Sequence, residues 1–302
     1  MVIVSIVMPV YNGAGRLSFT MESILGQTLA DFELIVVDDG STDATPDLLE
    51  EYSRRDPRVR VIRQKNAGIT RALIRGCAGA QAELIARHDC GDRSRPERLA
   101  IERALFDDPE VVLAGCATTH FAPGGEALYT TTAEGDATRA SLLRDPVDRI
   151  HGLPHHGSAM FRRDAYEAVG GYRADFYFAQ DLDLWIRLAQ RGNVAVTRET
   201  LYEAGIDAKA ISSSNRAEQV ASARVGIALR DGGDPTDLLP RVASIRAKKR
   251  PVRERRTEAQ AYYFIASCLR RNGDPAWRGY LRQSLRRNPL QVRGWLLAVR
   301  GR

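Results

Sequence analysis

Four consecutive apolar residues, Leu34-Ile35-Val36-Val37, run straight into Asp38-Asp39-Gly40-Ser41-Thr42-Asp43. An unbroken apolar run of this length, rich in β-branched residues, reads as a strand buried on both faces, as in the interior of a parallel sheet. In an open parallel sheet, ligands bind just beyond the carboxyl ends of the strands. Asp38 and Asp39 therefore stand where a ligand would be met, and Gly40 permits a tight turn into the next helix. A carboxylate there can accept hydrogen bonds from a ribose hydroxyl or a base N–H. N-capping of a helix Ala44–Arg54 accounts for Ser41 to Asp43. It does not account for two adjacent acids before the turn, which points to a binding role for Asp39.

The same grammar repeats along the first third of the chain. Val2–Val10 reads as a buried strand with Pro9 near its end, because proline cannot donate to a central ladder. Leu17, Met21, Ile24 and Leu25 follow helical spacing and predict a helix over Leu17–Gln27. Phe32–Val37 is the second strand and Val59–Arg63 the third. Ile69–Ala80 reads as a helix, Glu83–His88 as a strand, Pro96 as a helix start and Val111–Cys116 as a further strand. Strands alternating with helices predict an α/β fold, a mostly parallel sheet flanked by helices.

Within Glu83–Asp92 a short strand again runs into a pair of carboxylates, Asp89 and Asp92. Two strand ends that each present carboxylates suggest a divalent-metal and nucleotide site, since Mg²⁺ or Mn²⁺ takes one or two carboxylates plus substrate phosphates. Asp89 and Asp92 also fit a bland role as loop-forming residues before Pro96. The chain has no G-x-G-x-x-G and no G-x-x-x-x-G-K-[ST], so phosphates would be met by a metal or by arginines such as Arg71 or Arg87. Phe121–Asp148 is weakly periodic, with a hairpin expected around Gly124-Gly125 and a helix near Arg139–Arg144. Three of the five histidines then fall within six residues, His151, His155 and His156. Their spacing is not that of a helical zinc site, and they suit acceptor or phosphate contact. Strand Ala159–Arg163 and helix Asp164–Val169 follow. Leu182, Trp185, Ile186 and Ala189 share a helical face whose first turn carries Asp181 and Asp183. Either acid can stabilise the helix start or act as a general base aimed into a cleft.

A chain of 302 residues that is 44% hydrophobic and 27% charged has enough apolar material for a full globular core. Its four cysteines are scattered with no C-x-x-C pair, which argues against a disulfide framework or structural zinc and fits a reducing compartment. No apolar stretch is long enough to span a bilayer. A cytosolic protein, or one peripheral on the inner face of a membrane, is expected. The net charge of +6 hides an asymmetry: Arg241–Arg302 holds 17 Lys/Arg against three acids, so the tail is +14 and the body −8. Such a tail suits an anionic lipid or an acidic partner. It has no aromatic-basic groove or known motif for nucleic acid, and none is expected as a partner.

In order along the chain, Pro9-Val10-Tyr11-Asn12-Gly13, Phe32–Asp43, Asn66-Ala67-Gly68-Ile69, Arg95-Pro96-Glu97-Arg98-Leu99, Phe161-Arg162-Arg163, Gly170-Gly171-Tyr172-Arg173 and Asp181-Leu182-Asp183-Leu184-Trp185 resemble the inverting glycosyltransferases of family 2. The resemblance covers about Val4–Arg191 and implies a GT-A, Rossmann-like fold. It further implies transfer of a sugar from a nucleoside diphosphate sugar, UDP by default, to a glycan or lipid-linked acceptor in polysaccharide or glycoconjugate assembly. By analogy Pro9, Tyr11 and Asp39 line the nucleoside pocket, with Arg71 and Asp89 counted among the donor-binding residues. Asp92 matches the acid that holds Mg²⁺ or Mn²⁺, and Asp181 matches the catalytic base. The chain departs from the family at Asp89-Cys90-Gly91-Asp92, where Asp-Ala-Asp-Asp is common. Gly91 puts metal affinity in doubt and raises the alternative of a catalytically impaired nucleotide-sugar-binding scaffold. Gln180 stands where a Glu often precedes the base, and removing that charge should lower the pKa of Asp181.

Beyond about Asp207 the resemblance fades. The expected organisation is a transferase domain over 1–235 and a basic helical region over 236–302, set off by Asp231-Gly232-Gly233-Asp234-Pro235. After the basic stretch Lys248-Lys249-Arg250, three amphipathic helices are predicted, Thr257–Arg271, Pro275–Arg287 and Val292–Val299. They can pack on the body of the protein, pair two copies into a dimer, or meet a membrane surface.

Overall fold

The computed structural model describes residues 2–206, 215–245 and 251–299, with the backbone alone at 251–254 and 298–299. The chain packs as two compact units. One takes Met1–Thr118, Thr131–Ala204 and Val220–Ile245; the other takes Thr119–Thr130, Gly205–Gln219 and Arg246–Arg302. The predicted basic stretch Lys248-Lys249-Arg250 lies outside the described residues.

The first unit opens with β1 (Val4–Val10), α1 (Ala14–Leu25), β2 (Phe32–Asp38), α2 (Thr45–Arg55), β3 (Val59–Arg63), α3 (Ile69–Ala78) and β4 (Leu84–Arg87). The chain continues through β5 (Arg93–Ser94), α4 (Arg98–Ala104) and β6 (Val111–Phe121), passes into the second unit from Thr119 to Thr130, which holds nearly all of β7 (Ala127–Thr131), and returns to the first with α5 (Gly135–Arg144), β8 (Met160–Arg162), α6 (Arg163–Ala168), α7 (Gln180–Ala189) and β9 (Asn193–Gly205). Helices α8 (Arg216–Arg230) and α9 (Pro235–Ala243) follow. The strands stand in the order β3-β2-β1-β4-β8-β6-β9-β5, with β7 paired to β6. β1 to β4 are mutually parallel, whereas β8 runs antiparallel to both β4 and β6.

The period of two along each strand sends alternate side chains to two separate cores. Val7, Ile35, Val37, Ile85 and Phe161 face α3 and α7 and pack with Leu73, Trp185 and Leu188. Ile6, Met8, Leu34, Val36 and Ala86 face the other way, onto Leu17, Met21 and Ile24 of α1 and Leu49 of α2. This two-sided burial is why β1 and β2 read as unbroken apolar runs. Pro9 is tolerated inside β1 because the ladder to β4 ends at Val7–Arg87, while Pro9 is paired with Val37 of β2.

In the second unit the hairpin turns at Ala122–Gly125, with Gly125 at φ +89°. Helices α10 (Pro251–Arg271), α11 (Trp277–Arg287) and α12 (Val292–Val299) belong to the same unit. Tyr280 Oη donates to Glu126 and accepts the Gly124 N–H, and Asn272 donates to the Leu128 carbonyl. Ala122, Leu128, Ile265, Leu269, Trp277 and Leu281 form its core.

Most predicted elements are present with ends shifted by a few residues. Three differ in kind. Pro96 does not open the helix, because the chain first pairs Ser94 with Tyr202 in β5, and α4 begins only at Arg98. The thirteen-residue β9 was not expected, since its residues are mixed in character, with neither a continuous apolar run nor a regular alternation. Helix α9 starts at Pro235, inside the segment read as a break, with Asp234 accepting the Thr236 N–H as its cap.

Helix α3 approaches the sheet at Gly76, where a Cβ would lie 3.2 Å from Val37 Cγ2 and still closer to Val7 Cγ1. Gly76→Ala should therefore destabilise by about 1–3 kcal/mol through overpacking, although Ala favours an exposed helix by about 1 kcal/mol. Urea unfolding of the two proteins measures the sign.

Candidate active site

In a 3-2-1-4 strand order the chain leaves β1 in one direction while β4 lies on its other side. The carboxyl ends of β1 and β4 therefore flank a crevice, the place where open α/β sheets bind ligands. The loops after β1, β2 and β4 all open there. Because β8 is antiparallel, the segment that enters it, His155–Ser158, arrives at this same end.

The acids after β2 have separate tasks. Asp38 accepts the Ser41 N–H and closes the turn, in which Gly40 sits at φ +79°. A Cβ on Gly40 would stand 2.7 Å from the Asn66 nitrogen, so the turn must also let another loop approach. Asp39 is buried, and its carboxylate accepts from Gln64 Nε2, Ala67 N and Gly68 N at 2.7–2.9 Å. A carboxylate offers about four acceptor positions, so one remains for a ligand. Asp43 does not cap its helix through the predicted geometry; it accepts from both Thr45 N and Ala14 N, binding the starts of α2 and α1 together. Pro9 is buried in β1, while Tyr11 and Arg71 are exposed side chains, Tyr11 at 52%.

At the end of β4 the structure places a fully buried guanidinium. Arg87 pairs with Asp89 Oδ1 at 2.6 Å, donates to the His88 carbonyl and lies 3.4 Å from His156 Nε2. It is thus committed inside the protein and is not the free phosphate contact considered from sequence. Burial, the largest single influence, would raise the Asp89 carboxyl; the Arg87 charge, His156 and His155 beside it and the Arg87 hydrogen bond together outweigh burial and hold the group well below the usual range. A second buried arginine, Arg98, pairs with Glu102 at 3.1 Å, donates to the Arg87 carbonyl and lies 5.0 Å over the Tyr202 ring. Tyr202 Oη donates to Asp92 Oδ2 at 2.9 Å and accepts the Asp89 N–H at 3.1 Å. Helix α1 fixes the same loop, with Thr20 Oγ1 accepting from Gly91 N and donating to the Asp92 carbonyl.

Asp89, Asp92 and His155 each place a ligand atom within 4.8 Å of the others. Burial holds His155 below its ordinary pKa, and hence neutral. Two carboxylates and an imidazole form a donor set that Mg²⁺ or Mn²⁺ accepts, with the nitrogen favouring Mn²⁺. His155 Nδ1 already accepts the Gly157 N–H at 3.1 Å, so ligation through that atom would replace this hydrogen bond. Gly91 adopts φ +106°, and Arg16 Cδ and Nε lie 3.4 Å from the position of an added Cβ. Where the resemblance would put a third acid, the positive φ favours glycine, and a guanidinium lies alongside at ordinary contact distance.

The helix start carrying two acids is resolved by geometry. Asp183 is buried and bound by Arg173 at 2.9 Å and Arg187 at 2.5 Å. Residues two apart on a helix do not share a face, and Asp181 is half-buried elsewhere, within reach of the Arg87 and Asp89 charges. Burial raises its pKa. The expected lowering from Gln180 is overridden, because desolvation of the carboxylate outweighs one missing neighbour. Ala179, which precedes this helix, sits at φ +56°, a left-handed conformation that a non-glycine residue adopts only when its surroundings impose it. A cavity of about 250 Å³ lined by Arg173, Asp183, Arg187, Arg191 and Arg230 lies on the Asp183 side of α7, away from the strand-end acids.

Tyr202 and Arg98 escaped sequence reasoning. The Tyr202 partner is 110 residues away, a relation that no local pattern encodes. His155 was visible only as one of a cluster.

A family model described as "Glycosyl transferase family 2" matches residues 5–170, more than half of the chain. EpsE of Bacillus subtilis, which bears a glycosyltransferase name, is 30% identical over 215 residues, 68% of this chain and 74% of EpsE. A chondroitin synthase of Escherichia coli is 30% identical over 201 residues, but the chain spans only 27% of that larger protein. In fold the chain is similar to Staphylococcus aureus TarS, with TM-score 0.57 at 16% identity, covering 95% of this chain and 81% of the TarS chain. It is also similar to the mannosyltransferase PcManGT of Pyrobaculum calidifontis, solved with GDP-Man and Mn²⁺, with TM-score 0.60 at 17% identity over 96% of this chain and 87% of that one. The sheet is that of the GT-A fold.

The floor of the site makes the protein acid-sensitive. Burial, then the Arg98 charge, pushes the His88 pKa down to about 3 from an ordinary 6.5. Between these values the unfolded chain binds a proton that the folded one refuses, so stability is full above pH 6.5 and falls as pH drops towards 3. His88→Gln should make the loss between pH 6.5 and 4.5 shallower by about 2 kcal/mol, read by urea unfolding at both values.

Proposed function

The chain belongs to glycosyl transferase family 2, and we propose that it moves a sugar, with inversion, from a nucleoside diphosphate sugar to a hydroxyl acceptor in polysaccharide or glycoconjugate assembly. UDP is the default nucleotide. The observation that carries this reading is the convergence at one sheet end of the Asp39 loop, the Asp89–Asp92 turn and the Asp181 helix start. A UDP complex of TarS and the GDP-Man complex of PcManGT lend support, because proteins of this fold take nucleotides and nucleotide sugars. Chondroitin and hyaluronan synthases among the relatives favour a polysaccharide context.

In this scheme Tyr11 and Pro9 border the nucleoside, and the remaining acceptor position of Asp39 takes a base N–H or ribose hydroxyl. Asp39 contributes as much by holding Ala67 and Gly68 in place as by direct contact. Exposed Arg71 meets the diphosphate. Asp92 and Asp89, with His155 beside them, would hold Mg²⁺ or Mn²⁺, which when bound stabilises charge on the departing diphosphate as a Lewis acid. Tyr202 orients Asp92, while Arg87 orients Asp89 and favours its ionised form. Asp181 takes the acceptor proton as the hydroxyl attacks the anomeric carbon on the face opposite the leaving group, and a single displacement inverts the configuration. A carboxyl pKa raised by burial makes Asp181 a stronger base.

Calorimetry with a panel of nucleoside diphosphates and Mn²⁺ or Mg²⁺ tests the donor half. Binding of one nucleotide is expected, with its metal dependence lost in Asp92→Ala; binding of none overturns the reading. Asp181→Asn should bind nucleotide like the wild type and lose about 10²–10⁴-fold in kcat. In the wild type the acid limb of kcat should lie above the ordinary aspartate value of about 3.9. Nucleotide binding without transfer to any acceptor would instead favour a scaffold, the role that Gly91 raises.

A further inference from the structure

Helix α12 in the second unit turns its apolar stripe outward. Leu290 is 84% exposed, Val292 69%, Trp295 53% and Leu296 51%. Val292, Trp295 and Leu296 stand at i, i+3 and i+4, one face of a helix. The other face is used: Gly294 is buried, with an added Cβ only 2.9 Å from Leu285 Cδ2, and Leu297 packs on the core of this unit. Trp295 is not loose, since its Nε1–H donates to the Pro289 carbonyl at 2.8 Å. Its one polar atom is satisfied within the protein and its ring is left bare. Large apolar side chains exposed side by side, rather than singly, mark an interaction surface.

Along the sequence that carries this stripe the charge has one sign, and Glu258 of α10 pairs with Arg287 at 2.7 Å. Between Pro275 and Arg302 the sequence holds seven arginines and no acid. Arg282, Arg286 and Arg293 are exposed and have no carboxylate partner among the described residues. A tryptophan-leucine face bordered by arginines is the composition of a helix that lies in a membrane interface, where apolar side chains enter the acyl boundary and cations meet anionic headgroups. No helix among the described residues is long and apolar enough to cross a membrane.

We infer that Leu290, Val292, Trp295 and Leu296, with Arg286 and Arg293, form a docking surface for an anionic lipid bilayer. The complementarity of an acid-free arginine border with lipid phosphates selects this partner over a second copy of the chain, whose same face would bring like charges together. The surface stands apart from the transferase reading and is tested without nucleotide or acceptor.

The full chain is mixed with vesicles of phosphatidylcholine alone, or of phosphatidylcholine with phosphatidylglycerol, and sedimented. It should sediment with the anionic vesicles, much less with the neutral ones, and more weakly as salt rises. Trp185 and Trp277 are buried at 1% and 8% exposure, so a blue shift of tryptophan emission on binding reports Trp295 and should vanish in Trp295→Phe. Val292→Ser with Leu296→Ser, and separately Arg286→Gln with Arg293→Gln, should each weaken sedimentation by about ten-fold or more. Both pairs are surface changes, and unaltered thermal unfolding certifies the fold. Absence of sedimentation with anionic vesicles overturns the proposal, as does sedimentation that neither pair weakens. A dimer in light scattering that Val292→Ser with Leu296→Ser dissociates would reassign the face to self-association.

Discussion

Two guanidiniums without solvent carry the floor of the active site, and much of the structure is arranged to make them tolerable. Moving a charge out of water costs several kcal/mol even after relaxation, and only close partners offset it. Arg87 has Asp89, the His88 carbonyl and His156; Arg98 has Glu102, Ser94, the Arg87 carbonyl and the face of Tyr202. The partners come from β4, β5, α4, β9 and the loop before β8, so satisfying two charges fixes the relative positions of five segments. The same arrangement forces His88 and His156 to stay neutral and Asp89 to stay ionised. An apolar floor could be equally stable, but it would not hold the Asp89 carboxyl down.

Legibility from sequence followed the range of the interactions. Strand-end acids, the Gly40 turn and the alternation of strands and helices are local signals, and Asp39, Asp89, Asp92 and Asp181 were found through them or through the ordered resemblance. The two acids of the α7 start were equivalent on paper. They separated only when Arg173 and Arg187 were seen to bind Asp183. Arg87 looked like a free cation because nothing near it in sequence announces burial. Tyr202 had no signal at all, lying in a strand whose mixed composition hid the strand itself. The raised pKa of Asp181 likewise depends on desolvation, which a list of neighbouring residues does not contain.

Gly91 is constrained by its backbone: its positive φ disfavours an ordinary side chain, while the Arg16 side chain lies alongside at contact distance. The motif here is thus a glycine turn braced by Thr20, with one carboxylate held at each end. Charge that a third acid would have supplied is absent, and a cation stands close by, so the local field is less negative than in a run of three acids. A divalent ion held there as proposed would lean more on the phosphates of a bound nucleotide to complete its coordination.

The antiparallel course of β8 also has a bearing on the order in which the molecule can assemble. β1 to β4 lie within the first 87 residues and pair with one another, so the parallel core is available early as the chain emerges. The histidine loop reaches Arg87 across 69 residues and Tyr202 reaches Asp92 across 110. Contacts of that separation must await synthesis of the later chain and are slow to close. A nascent chain can therefore own its sheet while Arg87 and Asp92 still lack half of their partners, and the floor of the candidate site is among the last parts of the first unit to become dry.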